Sequence, residues 1–160
     1  MAVVRHYQKE IFPAVGLTTG GATFQKATLP GLGVPRMARM IYDFSKDGGV
    51  IGPIVPKQTA FIPANAIIIG GIGKVIVAPL GTAGATFAVG TDAGSSAASL
   101  FAALVIASLT IGTLFDLIPV YTAVTAVKMT AAGNMQATVA VHALTAGIID
   151  VTAFYVHPSN

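Results

Sequence analysis

Three groups of residues in this 160-residue chain have types and spacings that could do chemistry. The first is the run Ile68-Ile69-Gly70-Gly71-Ile72-Gly73-Lys74-Val75. Glycine-rich backbone can cradle phosphate with its N–H groups, with a lysine to hold the terminal charge and a Ser or Thr after it for magnesium. Here Ile68 stands where the first glycine of such a loop belongs, and Val75 where the hydroxyl belongs. The run therefore reads as a strand kinked by glycine, with room for a bulge or close backbone packing. The second group is Asp43 and Asp47, which flank the turn Lys46-Asp47-Gly48-Gly49. A calcium loop needs further oxygen ligands at regular spacing, and they are absent. The third is His6, His142 and His157, none with a second histidine or a carboxylate at ligand spacing. No Gly-x-Ser-x-Gly elbow occurs, Ser95 and Ser96 have no base nearby, and only six acids are available for proton transfer. The reading is of a protein that is no enzyme and holds neither metal nor cofactor.

Composition points to surface as the functional material. Hydrophobic residues make up 54% of the chain and charged residues 9%, against a usual charged share of about 25%. Such a chain either enters a membrane or covers its surface with copies of itself or a partner. The uncharged run 93–115 is long enough to span a bilayer as a helix, which takes ~20 residues. It is diluted by Ser95, Ser96, Ser99, Ser108, Thr110 and Thr113, interrupted by Gly112, and lacks flanking basic clusters or tryptophan. No membrane partner is expected. At the N-terminus, Arg5 and Lys9 are followed by Glu10 and Pro13, which is not a signal peptide. The absence of cysteine fits synthesis in a reducing cytoplasm.

Charge is unevenly placed. Arg5, Lys9, Lys26, Arg36 and Arg39 stand against Glu10 in residues 1–39, whereas residues 40–160 carry four lysines against five aspartates. Five basic residues so spread are too sparse for a nucleic-acid stripe. Pro13, Pro30, Pro35 and the glycines of residues 1–36 deny that stretch a regular period, although Phe12, Leu17, Phe24 and Leu29 recur along it. It reads as an extended N-terminal arm that orders on a partner.

From residue 37 to 160 the chain reads as one β domain. Strands are expected at 37–44, at 50–55 (an edge strand, because of Pro53), at 66–71 and 73–79, and at 85–90. Lys46-Asp47-Gly48-Gly49 is expected to close a hairpin, with glycine supplying positive φ. Residues 91–99 read as a loop, and period alone leaves helix and strand open for the segment through Leu100, Phe101 and Leu104. Those three residues are expected to be core or subunit-facing. An alternating meander is expected over 121–130, 135–143 and 148–157, with turns at 131–134 and 144–147. The fold class is all-β, a jelly-roll-like sandwich behind an arm.

Three stretches, "ARMIYDFSKDGGVIGPIV", "FIPANAIIIGGIGKVIVAPLGTAGATFAVGT" and "LTAGIIDVTAFYV", taken in that order, resemble the small head decoration proteins of tailed bacteriophages. The similarity covers roughly residues 38–156 and leaves out the arm. It implies a jelly-roll-like domain on the outer face of a capsid, clustered as a homotrimer, with the major capsid protein as partner. Arg5, Lys9, Phe12, Phe24, Lys26 and Arg36 of the arm would then contact capsid or sister subunits. A second class, a receptor- or carbohydrate-binding jelly roll, would need exposed aromatics on loops. Tryptophan is absent, and Tyr42, Tyr121 and Tyr155 fall in expected strands.

Overall fold

A computed structural model describes residues 34–93, 99–119 and 127–157. All but the last three residues of the expected arm lie outside these, as does most of the expected strand 121–130.

The first strand, β1 (Arg36–Asp43), alternates from Met37 to Tyr42, with Ala38, Met40 and Tyr42 buried and Met37 and Arg39 exposed. That period of two lets one face pack while the other meets solvent. A single helical turn, α1 (Phe44–Asp47), follows, capped by the Asp43 carboxylate, which accepts from the Ser45 N–H at 3.0 Å. It stops at Gly48, whose φ of 80° and ψ of −178° lie in a region open essentially to glycine. The strands β2 (Gly52–Ile54), β3 (Gln58–Thr59), β4 (Phe61–Ile62), β5 (Ile67–Gly81) and β6 (Thr86–Thr91) come next. After them come β7 (Phe101–Val105), a 3-10 turn at Ile106–Ser108, β8 (Leu114–Leu117), β9 (Gly133–Ala140) and β10 (Leu144–Val156).

Two antiparallel sheets face each other. One runs β3-β1-β10-β5-β8 and the other β2-β9-β6-β7, with β4 also on β9. Setting aside the two-residue strands β3 and β4, eight strands remain among the described residues, ordered 1-8-3-6 and 2-7-4-5 by chain position. That is the doubly wound Greek key of a jelly roll. Met40, Tyr42, Ile68, Val75 and Ile149 from the first sheet and Phe87, Val89, Met135 and Val139 from the second fill the space between the sheets. Tyr42 and Phe87 meet across the core with ring centroids 5.5 Å apart. At the β7–β8 edge, Phe101 packs on Phe115 at 4.3 Å. The Phe115 ring occupies the place that a side chain on Gly73 would take. Glycine is required there by close approach, so the glycine-lysine run is a strand with a hole in it rather than a phosphate loop.

Several expected elements are displaced. Lys46-Asp47-Gly48-Gly49 closes no hairpin, because β1 pairs with β10 and β3 while β2 pairs with β9 in the opposite sheet. The turn is a corner that carries the chain across the sandwich. The stretches 66–71 and 73–79 are one continuous strand. Residues 144–147 belong to β10, which shifts register against β5 there instead of turning. The actual link is shorter and earlier, with Val141 at φ 69°. β9 and β10 lie in different sheets, so the expected meander is instead a pair of crossings. Of the expected strand 121–130, the described end shows an isolated bridge between Lys128 and Ile67. Residues 101–105 are strand, which closes the choice left open there.

Candidate functional site

The corner after β1 is the densest polar cluster among the described residues, and all of its groups are engaged. The Asp47 carboxylate accepts from the Asp43 N–H and the Lys57 N–H, both at 2.9 Å. Asp43 accepts from the Ser45 hydroxyl at 2.7 Å and pairs with Lys46 at 2.9 Å. The Ser45 hydrogen bond, with that of Lys46 next, holds the Asp43 carboxyl below the usual carboxylate range. Tyr42 donates to the Gly48 carbonyl at 2.7 Å, and burial, seconded by Asp47 and Asp43, pushes its phenol up to about 12. The two carboxylates thus serve backbone donors at a chain crossing, where unpaired N–H groups would be costly.

His157 Nε2 donates to the Ala64 carbonyl at 3.1 Å, and His142 sits exposed in the β9–β10 link. Among the described residues no three His, Cys, Asp or Glu side chains come together as a metal site would require. No helix of the described residues is long and apolar enough to cross a membrane.

The expected contact residues part company. Arg5, Lys9, Phe12, Phe24 and Lys26 lie outside the described residues, and Arg36 is exposed at the start of β1, opposite Tyr155. Leu100 is fully buried and belongs to the core. Phe101 is half-buried against Phe115, and Leu104 is 37% exposed on β7, the edge strand of its sheet. Tyr42 and Tyr155 are buried, while Tyr7 and Tyr121 lie outside the described residues.

What the sequence reading missed is the outer face of the first sheet. The registers set its outward side chains in rows. Gln58, Ile41, Asp150, Lys74 and Leu114 form one row across β3, β1, β10, β5 and β8. One step along the strands come Arg39, Thr152, Ile72 and Asp116. Beyond these, Met37 and Phe154 stand beside Gly70, and on the other side Ile148 stands beside Val77. Arg39 forms a two-point ion pair with Asp150, at 2.8 and 2.5 Å, which raises the guanidinium pKa. Neither Lys74 nor Asp116 has an ion-pair partner among the described residues. Around the charges the face is apolar and open, with Met37 70% and Leu114 62% exposed and Ile72, Ile76 and Val77 also uncovered. Two shallow grooves cut it. One of about 400 Å³ is lined by Arg39, Ile41, Gln58, Thr59 and Ala60, and one of about 220 Å³ lies over Gly73 between Lys74, Leu114 and Asp150. The parity of Asp150 and Thr152 between Ile149 and Val151 does put them outward from sequence alone. Which strands stand beside them does not follow from parity.

No protein-family model and no curated protein matches the chain. Solved structures do. A chain of the cyanophage Pam1 capsid asymmetric unit is 18% identical, with a TM-score of 0.57 over 91% of this chain and 96% of that one. A chain of the acidic stable capsid structure of Helicobacter pylori bacteriophage KHP30 is 15% identical, with a TM-score of 0.53 over 80% and 91%. At such identities the similarity is one of fold, a sandwich shared with chains found in phage capsids.

Proposed function

We propose that this chain is a virion structural protein, a decoration or cement subunit that binds the outer surface of a phage capsid and bridges its major capsid proteins. The observation that carries the reading is the jelly roll itself, matched over nearly its whole length to a chain from a phage capsid. The polar clusters support it from the negative side, since the described acids at the corner are spent on holding the fold. The exposed apolar side chains support it from the positive side, because an adhesive subunit works by burying surface.

On this reading the mechanism is non-enzymatic. The domain sits on the particle, and the arm, residues 1–36, lies across neighbouring capsid proteins through Arg5, Lys9, Phe12, Phe24, Lys26 and Arg36. Copies cluster as trimers, with the β7 edge around Leu104 as a subunit-facing surface. Engaging several capsid proteins at once multiplies modest contacts into firm attachment. Localisation is the outer capsid surface, after synthesis in the host cytoplasm.

The experiment is co-sedimentation of purified full-length protein, and of protein lacking residues 1–36, with undecorated capsids at two salt concentrations. Full-length protein is expected to bind, less so at high salt, and the truncated form to remain folded but bind weakly. Equal binding by both forms would remove the arm from the mechanism. No binding by either would remove the decoration reading.

A further inference from the structure

The outer face of the β3-β1-β10-β5-β8 sheet carries charges in an order that is its own complement. Across β1, β10, β5 and β8 the charged side chains run Arg39, Asp150, Lys74, Asp116, alternating in sign. β10 and β5 are the central pair, with β1 and β8 one strand out on either side. A two-fold axis lying in the interface, parallel to the strands and midway between β10 and β5, sets β10 over β5 of a second copy and β1 over β8. Rows are kept and columns exchanged. Asp150 then faces Lys74 of the second copy, and Arg39 faces Asp116. Each pair occurs twice.

The apolar positions obey the same operation. Ile41 meets Leu114, Thr152 meets Ile72, and Ile148 meets Val77, each on the other copy. Phe154 comes over Gly70, a position with no side chain to obstruct it. Leu114, 62% exposed, is brought to the groove lined by Arg39, Ile41, Gln58, Thr59 and Ala60. The other in-plane two-fold, perpendicular to the strands, sets Asp150 over Thr152, Lys74 over Ile72 and Asp116 over Leu114. That leaves each charge facing an uncharged side chain, an arrangement that loses solvation without gaining a partner.

We infer that this face is a two-fold contact between copies of the chain, built by sheet-on-sheet packing and registered by the Asp150–Lys74 and Arg39–Asp116 pairs. It is distinct from the β7 edge, which belongs to the opposite sheet. Isologous interfaces need a self-complementary patch, and this one has the charge order and the apolar pairing. Four strands ~4.8 Å apart, about eight residues deep on β1, β10 and β5 and four on β8, give a footprint of at most roughly 20 by 25 Å. That is at the small end of specific interfaces, the class of reversible, transient contacts.

The test uses full-length protein and two charge-reversed variants, Arg39→Glu and Asp116→Arg, with circular dichroism to verify that each folds. Masses are followed by sedimentation equilibrium across a range of concentrations. The unaltered chain is expected to double its mass reversibly, from one copy to two, or from three to six if trimers also form. Each variant alone sets like charges face to face twice and should weaken the doubling roughly tenfold or more. An equimolar mixture restores both pairs. The introduced carboxylate of one variant then faces the introduced guanidinium of the other, and the unaltered Asp116 of the first faces the unaltered Arg39 of the second. The mixture should return to within about threefold of the unaltered affinity. No doubling by the unaltered chain overturns the inference. So does doubling that both variants retain, and so does a mixture of folded variants that is no better than either alone.

Discussion

Replacing Gly73 by alanine should destabilise the protein, and the sign of that effect should reverse when Phe115 is also shortened. Gly73 has no positive φ, so its backbone accepts alanine without strain. The obstruction is the Phe115 ring, three of whose atoms lie where the new methyl group would go. Moving the ring also disturbs its packing on Phe101, 4.3 Å away between centroids. Overpacking of this kind costs about 1–3 kcal/mol. A stiffer unfolded chain returns about 0.4–1 kcal/mol, so a net loss of about 1–2 kcal/mol is expected. Phe115→Ala alone should cost about 2 kcal/mol, less than the ~3–5 kcal/mol of a fully enclosed phenylalanine because the ring is only partly buried. In that background the methyl group enters vacated space, and Gly73→Ala should stabilise by about 0.5 kcal/mol, leaving only the unfolded-state effect. The coupling between the two sites is then about 2 kcal/mol, within the range for residues in contact. Urea titrations of the four proteins measure it, and a change of that size moves a midpoint by about 1 M. If Gly73→Ala costs the same with and without the Phe115 ring, the glycine is not there for the ring, and the account of this edge fails.

Burial and titration set three further outcomes. Leu100→Ala should cost about 2–5 kcal/mol of stability, because its side chain is fully enclosed. Leu104→Asp on the β7 edge should leave the urea midpoint nearly unchanged and lower the mass seen by light scattering. Equal effects of both on stability would put Leu104 in the core. Tyr42 titrates at about 12 in the folded state, above its ordinary value of about 10 when unfolded. Between those values the folded chain holds a proton that the unfolded chain has lost, so stability should fall as pH rises through that window. Tyr42→Phe should flatten that slope, and an unchanged slope would acquit the phenol.

The sequence carried the parity of individual strands better than their partners. Alternation in residue type is plain from Ile149 to Ala153, where Asp150 and Thr152 stand outward between buried neighbours, because one buried face forces a period of two. Met37 to Tyr42 alternate in burial but not in residue type, since Met37 and Ile41 are apolar and face outward. The Asp47-Gly48 signal marked the end of β1 but not the hairpin expected there, and Gly48 does take positive φ. A local turn signal, however, is the same whether the next strand pairs with the last or crosses to the facing sheet. That decision was made by β10, whose residues lie about 110 positions further on. The β9–β10 link shows the opposite failure. Val141 takes φ of 69°, which a β-branched residue resists, so nothing local announced the turn, while Thr145 and Gly147 suggested one three residues too late. The outer charge rows were illegible for the same reason as the hairpin. Arg39 and Asp150 are 111 residues apart, and only the closed sheet makes them neighbours.

The central place of β10 also sets the order of events at the ribosome. β1 and β5 do not touch through a ladder of their own, and each pairs with β10 on one side. Until the chain has been made as far as Val156, the inner edges of both strands have no native partner. At 5–20 residues per second, the wait from β1 to β10 is roughly 5–20 seconds. For that interval a nascent chain with 54% hydrophobic residues holds open strand edges while its neighbours on the same message do likewise. Yield in any expression host should therefore depend on what shields the chain before its last strand is released. Slowing synthesis ahead of β10 would lengthen that exposure.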